Sequence, residues 1–259
     1  TLIDKYPEFY AANIWPKHDD NKLQESFMDL GQLIHNVGQL IAWQNDNYVS
    51  KIWSGYNSGT LFNAVNSNVP KGRLLYYFSE YEMNKFGYKH SDSNDDSNDN
   101  WCGWHCDHSS LTGLCLGMYF DMNGNELYKI YDDTVGLYIK TRNNKLYNIN
   151  LNEDDASTYL AFQIGETSQV LSKGILKATP HMVKGCGKNN QHISRSTFAV
   201  FHQPNHTFSM YIGNDKMDLE RMFKNSYLPD NVIPLNKRWN NNENDTFGKF
   251  SRRTWDEYY

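Results

Sequence analysis

From residue 73 onward the chain is a succession of short strand-like segments separated by turns, and this pattern most limits its possible folds. The segments are rich in β-branched, aromatic and aliphatic side chains, whereas Gly, Asn and Asp fill the intervals. Such a series is typical of a double-sheet jelly roll or a barrel. We therefore predict a mainly β protein with flanking helices and a double-stranded β-helix (jelly-roll) core. The predicted strands are GRLLYYF, LTGLCLGMYF, ELYKIY, VGLYIK, KLYNINL, TYLAFQI, SQVL, GILKATPHMV and RSTFAVF.

Helical patterns precede and follow these strands. A second helical stretch is predicted over residues 47–53, and the tail returns to helix-like sequence at 217–224 and 246–259. We expect one domain, with a mostly helical region at 1–72, the jelly-roll core at 73–213 and a helical extension at 214–259. The first helix is amphipathic and covers the core, because apolar residues recur there at intervals of three and four: Leu23, Phe27, Leu30, Ile34, Val37 and Ile41.

Composition excludes several classes of protein. The net charge of −5 and the lack of a basic patch argue against nucleic-acid binding. No apolar run approaches the roughly 18–20 residues of a membrane-spanning helix, so we expect no membrane partner. Four cysteines are too few for a disulfide scaffold. Reduced thiols in a monomeric, cytoplasmic protein are the simpler interpretation.

His105-Cys106-Asp107 is the strongest candidate for a metal-binding motif. The pattern His-x-Asp occurs at 18–20, 90–92 and 105–107, but only the third copy lies in order-forming sequence, before a predicted strand. Residues two apart in a strand project to the same face, so His105 and Asp107 should hold one ion from neighbouring positions. With a second histidine they would form a two-His-one-carboxylate set. This set covers one face of a non-haem Fe(II) ion and leaves the opposite face open.

His181 is the predicted third ligand. It follows Pro180 in the strand predicted at 174–183, and the end of a strand holds a ligand rigidly. A core histidine bonded to the backbone is the alternative. The other histidines weighed for this role lie in a polar loop or beside a turn: His192, His202 and His206.

Two further patterns bear on ligand binding. Arg195 and Thr197 share one face of the strand predicted at 195–201, where a guanidinium could bind a carboxylate and the hydroxyl could add a hydrogen bond. An edge-strand arginine paired with a nearby Asp is the alternative. A structural zinc site is less favoured, because its four candidate ligands lack a second distant pair: Cys102, His105, Cys106 and His108.

Three segments together resemble the Fe(II)/2-oxoglutarate-dependent dioxygenase superfamily, and most closely its isopenicillin N synthase-like branch. They are GWHCDHSSLTGL (103–114), AFQIGETSQVLSKGILKATPHMV (161–183) and SRSTFAVFHQPN (194–205). The resemblance implies that His105, Asp107 and His181 are the catalytic iron ligands. It also implies that Arg195 and Thr197 hold the far carboxylate of 2-oxoglutarate.

The sequence departs from this family in two places. The family often has Asn-x-Tyr-Pro upstream of the metal motif, whereas the corresponding stretch here is Leu-Tyr-Tyr-Phe (75–78), so only Tyr77 carries over as a co-substrate residue. The interval between Asp107 and His181 is long, 181 − 107 = 74 residues. We expect extended hairpin turns at 123–126 and 141–145 to account for the excess.

The resemblance implies an oxygenase that uses Fe(II), O2 and 2-oxoglutarate. Oxidative decarboxylation of 2-oxoglutarate would accompany oxidation of a small organic substrate, with hydroxylation as the simplest outcome. An isopenicillin N synthase-like Fe(II) oxidase that does not use 2-oxoglutarate is the first alternative. A catalytically inactive jelly-roll binding protein with a redundant metal site is the second.

Overall fold

A computed structural model describes residues 1–7, 9–17, 22–87, 100–127, 134–149, 159–186, 192–213, 216–224 and 226–258. Helix α1 (Leu2–Lys5) precedes the 31-residue α2 (Lys22–Ile52) and α3 (Thr60–Val65). The stretch predicted as helical over 47–53 is helical as far as Ile52, but it continues α2 and is not a second helix. The buried residues of α2 are three or four apart, which confirms the predicted amphipathic helix: Ile34, Gly38, Ala42, Asp46 and Val49.

A six-stranded antiparallel sheet, sheet A, is built around one long strand, β10 (Ser194–His202). β10 pairs with β1 on one side and with both β3 and β4 on the other. The single strand predicted at 111–120 is therefore two strands, interrupted at residues 115–117. The other members of sheet A are β1 (Lys71–Tyr77), β3 (Leu111–Leu114), β4 (Met118–Phe120), β5 (Glu126–Leu127) and β8 (Ala161–Ile164). The short helix α4 (Glu80–Lys85) follows β1.

Sheet B has four antiparallel strands in the order β2-β9-β6-β7. They are β2 (Asn100–His105), β9 (His181–Lys184), β6 (Gly136–Lys140) and β7 (Leu146–Asn148). The pairs β4–β5 and β6–β7 are hairpins, which confirms the turns predicted at 123–126 and 141–145. The His-x-Asp copies at 18–20 and 90–92 lie outside the described residues, as does the end of the strand predicted at 126–131.

The segment before β9 differs most from its predicted secondary structure. Residues 168–171 (SQVL), predicted as a strand, belong to helix α5 (Glu166–Leu171). Thr167 and Ser168 fix this helix to the distant segment 108–110, since their hydroxyls donate to the carbonyls of His108 and Ser110. The strand predicted at 174–183 begins only at His181, after a turn with positive φ at Gly174.

The C-terminal region also packs against α5. It contains α6 (Lys216–Phe223), α7 (Leu235–Arg238) and α8 (Phe247–Tyr258), so helices are confirmed at both predicted tail segments. Val170 of α5 belongs to one buried cluster with Met222, Trp239 and Phe250 from these helices and the intervening loop. Within the described residues, no helix has the length and apolar character needed to cross a membrane.

Candidate metal centre

The two predicted histidine ligands face each other across neighbouring strands. His105 is the last residue of β2 and His181 is the first residue of β9, and the two are direct partners in sheet B. Their ring centroids are 4.1 Å apart. His181 thus lies at the start of its strand, whereas the prediction placed it near the end of a strand over 174–183. The paired backbones fix the separation of the two imidazoles.

Asp107 joins the cluster from a turn. β2 ends at His105, so the prediction that both side chains project from one strand is wrong. Asp107 Oδ1 lies 3.7 Å from His105 Nε2 and 3.8 Å from His181 Nε2. The three ligand atoms all lie within 4.8 Å of one another. Atoms spaced in this way can surround a cation at about 2.0–2.2 Å from each.

Backbone carbonyls orient both imidazoles for this arrangement. His105 Nδ1 is 2.8 Å from Gly103 O, and His181 Nδ1 is 3.0 Å from Thr179 O. A carbonyl only accepts, so each Nδ1 carries a proton and Nε2 is the nitrogen that each imidazole can offer to a cation. Both Nε2 atoms lie on the side of the cluster where Asp107 lies. This is the usual outer support of a metal-binding histidine.

Two polar residues of sheet A hold the Asp107 carboxylate. Thr112 Oγ1 donates to Asp107 Oδ2 at 2.6 Å, and Gln163 Nε2 donates to the same oxygen at 2.5 Å. Gln163 Nε2 is also 3.0 Å from His181 Nε2. With Oδ2 occupied, Oδ1 is left for a cation. Sequence reasoning missed both residues, and the only signal was a polar side chain within each of the apolar strands LTGL and AFQI.

Burial and charge act in opposite directions on the three ligands. Burial alone would raise the pKa of Asp107, but the two imidazoles and the hydrogen bonds to Oδ2 outweigh it, so its pKa lies below the ordinary value. Burial lowers the pKa of His181. At His105 burial also favours the neutral form, but the nearby Cys102 thiol and Asp107 favour protonation and raise the pKa to about 9. A metal ion would therefore have to displace a proton from His105.

The competing histidine assignments do not converge on this cluster. His192 is exposed, and His202 is buried in a stack against His35 of α2. His206 stacks among aromatic residues of the N-terminal segment. The zinc alternative also fails within the described residues, because His108 packs on Phe247 and no four-residue cluster forms.

Arg195 lies in the row of sheet A that contains Tyr77. The two are direct partners in the β1–β10 pairing, and the guanidinium carbon is 5.4 Å from the Tyr77 ring centroid. Arg195 is 6% exposed, yet its Nε and Nη1 have no hydrogen-bond partner among the described residues. No described carboxylate pairs with it, and β10 is a central strand, so the alternative of an edge-strand ion pair is wrong. Buried donors without acceptors indicate a place for an anion.

Thr197 shares the strand with Arg195 but directs its hydroxyl elsewhere. Thr197 Oγ1 donates to Cys115 O at 2.8 Å. Gly117 lies beside the guanidinium, and a side chain there would place Cβ 2.4 Å from Arg195 Nε. The interruption between β3 and β4 thus makes room for Arg195.

The comparisons find similarity at the level of fold. No family model and no curated protein matches the sequence. A protein assigned to the 2OG-Fe(II) oxygenase family from Caulobacter crescentus aligns over 98% of this chain and 65% of its own, with a TM-score of 0.61 and 15% identity. A full-length Neurospora crassa protein in complex with alpha-KG aligns over 95% and 61%, with a TM-score of 0.57 and 18% identity. JOX2 in complex with 2OG, Fe and JA aligns over 92% and 54%, with a TM-score of 0.50 and 16% identity.

The chain has the fold of the 2OG-Fe(II) oxygenases. This confirms the predicted fold class, a mainly β protein with flanking helices and a jelly-roll core. The chain spans 65% and 61% of the length of the first two of these proteins. The isopenicillin N synthase-like branch stays a prediction.

Proposed function

We propose that this chain is a non-haem Fe(II)- and 2-oxoglutarate-dependent oxygenase that oxidises, most simply by hydroxylation, a small organic substrate. The proposal depends on one observation. His105, Asp107 and His181 present two imidazole nitrogens and one carboxylate oxygen within 4.8 Å of one another, on a fold shared with 2OG-Fe(II) oxygenases.

The donor set fits Fe(II). Two neutral imidazoles and one carboxylate suit an iron ion that keeps open positions for other ligands. When bound, the iron would activate O2, which is the oxidant: one oxygen atom would enter succinate as 2-oxoglutarate is oxidised and loses CO2, and the other would oxidise the substrate. Asp107 and His181 are buried, whereas the His105 side chain is 31% exposed, so solvent reaches the cluster from the His105 side.

Arg195 is the proposed anchor for the far carboxylate of 2-oxoglutarate. Its buried, unpartnered nitrogens would gain the acceptors they lack, and Tyr77 lies beside it. The Neurospora crassa protein and JOX2 were solved with alpha-KG and 2OG, respectively, which supports the same co-substrate here. The resemblance also implies that Thr197 binds this carboxylate, although its hydroxyl donates to Cys115 O.

The remaining parts of the proposal concern partners and location. The Neurospora crassa protein was also solved with thymine and with 5-formyluracil, which supports a small-molecule substrate for this chain without identifying it. We propose a monomer that binds neither nucleic acid nor membrane. A cytoplasmic location agrees with the four free cysteines.

An anaerobic titration tests the proposal. Addition of Fe(II) and then 2-oxoglutarate should produce a visible charge-transfer band, because the keto acid would chelate the iron. The band should be absent in His181→Ala and retained in the control His192→Ala, whose side chain is exposed. Iron binding without the band, and without succinate formation in air, would favour the oxidase alternative. Absence of iron binding would contradict both enzymes.

A further inference from the structure

We propose that Tyr119, rather than Thr197, is the hydroxyl donor that completes the carboxylate site of Arg195. The inference rests on the proposed function, because the ligand would be the far carboxylate of a short dicarboxylate. It assigns a binding role to Tyr119, which neither the sequence motifs nor the resemblance identified. The role of Thr197 becomes one of positioning.

The hydroxyl of Thr197 is unsuited to hold a carboxylate. A hydroxyl has one proton, and Thr197 Oγ1 donates it to Cys115 O at 2.8 Å. The Thr197 hydroxyl can then only accept further hydrogen bonds. An ionised carboxylate also only accepts, so the two groups cannot hydrogen-bond to each other. Binding the anion would require the Cys115 carbonyl, at the interruption between β3 and β4, to lose its donor.

Tyr119 lies directly opposite Arg195 in the pairing of β4 with β10, just as Tyr77 does in the pairing of β1 with β10. Directly opposed residues project to the same face of a sheet. The guanidinium therefore lies between two phenol side chains, 5.4 Å from the Tyr77 ring centroid and 6.0 Å from that of Tyr119. One row of sheet A thus carries a buried cation and two phenols.

The phenols remain able to donate at neutral pH. Burial raises the pKa of both Tyr77 and Tyr119, and this outweighs the lowering effect of the Arg195 charge. Each hydroxyl therefore keeps its proton. Arg195 supplies the charge, and its Nε and Nη1 have no partner among the described residues. A carboxylate is the acceptor that would satisfy these donors together.

The surroundings of this row limit the access of water. Trp101, from sheet B, stacks against Tyr77 with ring centroids 5.9 Å apart and lies 6.4 Å from Tyr119. Gly117 leaves the space that the guanidinium fills. Among buried aromatic rings, each hydrogen bond to a charged group contributes more than it would in water. By holding the Cys115 carbonyl, Thr197 helps to fix the interruption between β3 and β4 that precedes Tyr119.

The test compares Tyr119→Phe with Thr197→Val. The probe is glutarate, which has the chain length of 2-oxoglutarate but no keto group to chelate iron, titrated calorimetrically into the metal-free protein. Tyr119→Phe should weaken glutarate binding by about ten- to hundredfold, as expected for loss of a hydrogen bond to a charged group. Thr197→Val should change it by less than about threefold. Co(II) affinity should stay unchanged in both variants, because neither residue contacts the metal ligands.

The outcomes separate this inference from the proposed function. Equal glutarate affinity in Tyr119→Phe and wild type, a larger loss in Thr197→Val, or no glutarate binding by wild type would overturn the inference. Tyr119-dependent glutarate binding without Fe(II) binding would preserve the inference and reject the proposed function. If Tyr119→Phe turned over limiting 2-oxoglutarate as fast as wild type, the proposed function would stand and the inference would be rejected.

Discussion

At the scale of single residues, the orientation of the Asp107 carboxylate decides whether the cluster can bind a cation. One oxygen, Oδ2, accepts hydrogen bonds from Thr112 and Gln163, whereas Oδ1 faces both imidazoles. Thr112 is fully buried, so its hydroxyl cannot be replaced by bulk water. A change at Thr112 therefore isolates the effect of orientation, since it leaves all three ligands in place.

Thr112→Val should weaken metal binding by about 10- to 100-fold, the usual range for loss of a group that supports a ligand. Valine keeps the shape of the side chain but cannot donate to Oδ2. Titration of the metal-free protein with Co(II) measures the effect. Ser109→Ala is the control, because Ser109 contacts the Thr112 hydroxyl at 3.1 Å rather than the Asp107 carboxylate. Equal affinities of Thr112→Val and wild type would contradict the argument.

The sequence could predict the residues that carry distinctive chemistry. His105, Asp107 and His181 converge as expected, and Arg195 is buried with unpartnered donors. Their roles as ligands and anchor stay predictions. Thr112 and Gln163 left only the weak signal of a polar side chain in an apolar strand, and Tyr119 left none, because Tyr is an ordinary residue of strands. Their importance arises from cross-strand register, which local patterns do not encode.

At the scale of secondary structure elements, tertiary contacts explain the errors. Residues 168–171 contain Val and Leu and fit a short strand, but the hydroxyl-to-carbonyl bonds of α5 to the 108–110 turn favour a helix. These bonds join residues nearly 60 positions apart along the chain. By contrast, α2 was predictable over 23–41 because the three- and four-residue spacing of its apolar residues is a local pattern.

Helices α5 and α7 are joined by a buried ion pair behind the metal cluster. Arg238 Nη1 and Nη2 donate to Glu166 Oε2 and Oε1 at 2.7 and 2.5 Å, and the two residues are 0% and 4% exposed. The Glu166 backbone N–H donates to Asp107 O at 2.7 Å. The pair therefore links the C-terminal region to the turn that carries a proposed metal ligand.

Arg238→Met should destabilise the protein by about 3–5 kcal/mol, because it leaves the Glu166 carboxylate buried without its cation. The double variant Glu166→Leu/Arg238→Met should be more stable than Arg238→Met alone, since no buried charge remains. Urea unfolding monitored by circular dichroism gives both values. The exposed pair Arg252–Asp256 on α8 is the control, and Arg252→Met should cost less than about 1 kcal/mol. Additive losses in the double variant would contradict a coupled ion pair.

At the scale of the whole molecule, α2 is fixed to sheet A through two stacked imidazoles. His35 of α2 and His202 of β10 have ring centroids 5.3 Å apart and an interplanar angle of 12°. Gly38 is necessary at this contact, because a Cβ there would lie 2.4 Å from His202 Nε2. The long helix α2 and the central strand β10 therefore meet at a buried imidazole, where protonation would destabilise the fold. That residues 1–72, 73–213 and 214–259 form one domain stays a prediction.

This contact predicts that acid weakens the fold. Burial, together with the nearby His35, lowers the pKa of His202 to about 4, whereas an unfolded histidine titrates near 6.5. Below pH 6.5 the unfolded chain binds a proton that the folded chain does not, so stability falls as the pH decreases towards 4. Between pH 7.5 and 5.0 this site should contribute a loss of about 2 kcal/mol.

The contribution of His202 can be isolated by substitution. His202→Asn keeps a donor for Leu111 O, which His202 Nδ1 approaches at 3.1 Å, but does not titrate in this range. The difference in unfolding free energy between pH 7.5 and 5.0, measured in urea, should therefore be about 2 kcal/mol smaller in His202→Asn than in wild type. The exposed His192 serves as control, and His192→Asn should retain the wild-type pH dependence. If His202→Asn loses as much stability in acid as wild type, protonation of this contact is not what weakens the joint between α2 and sheet A.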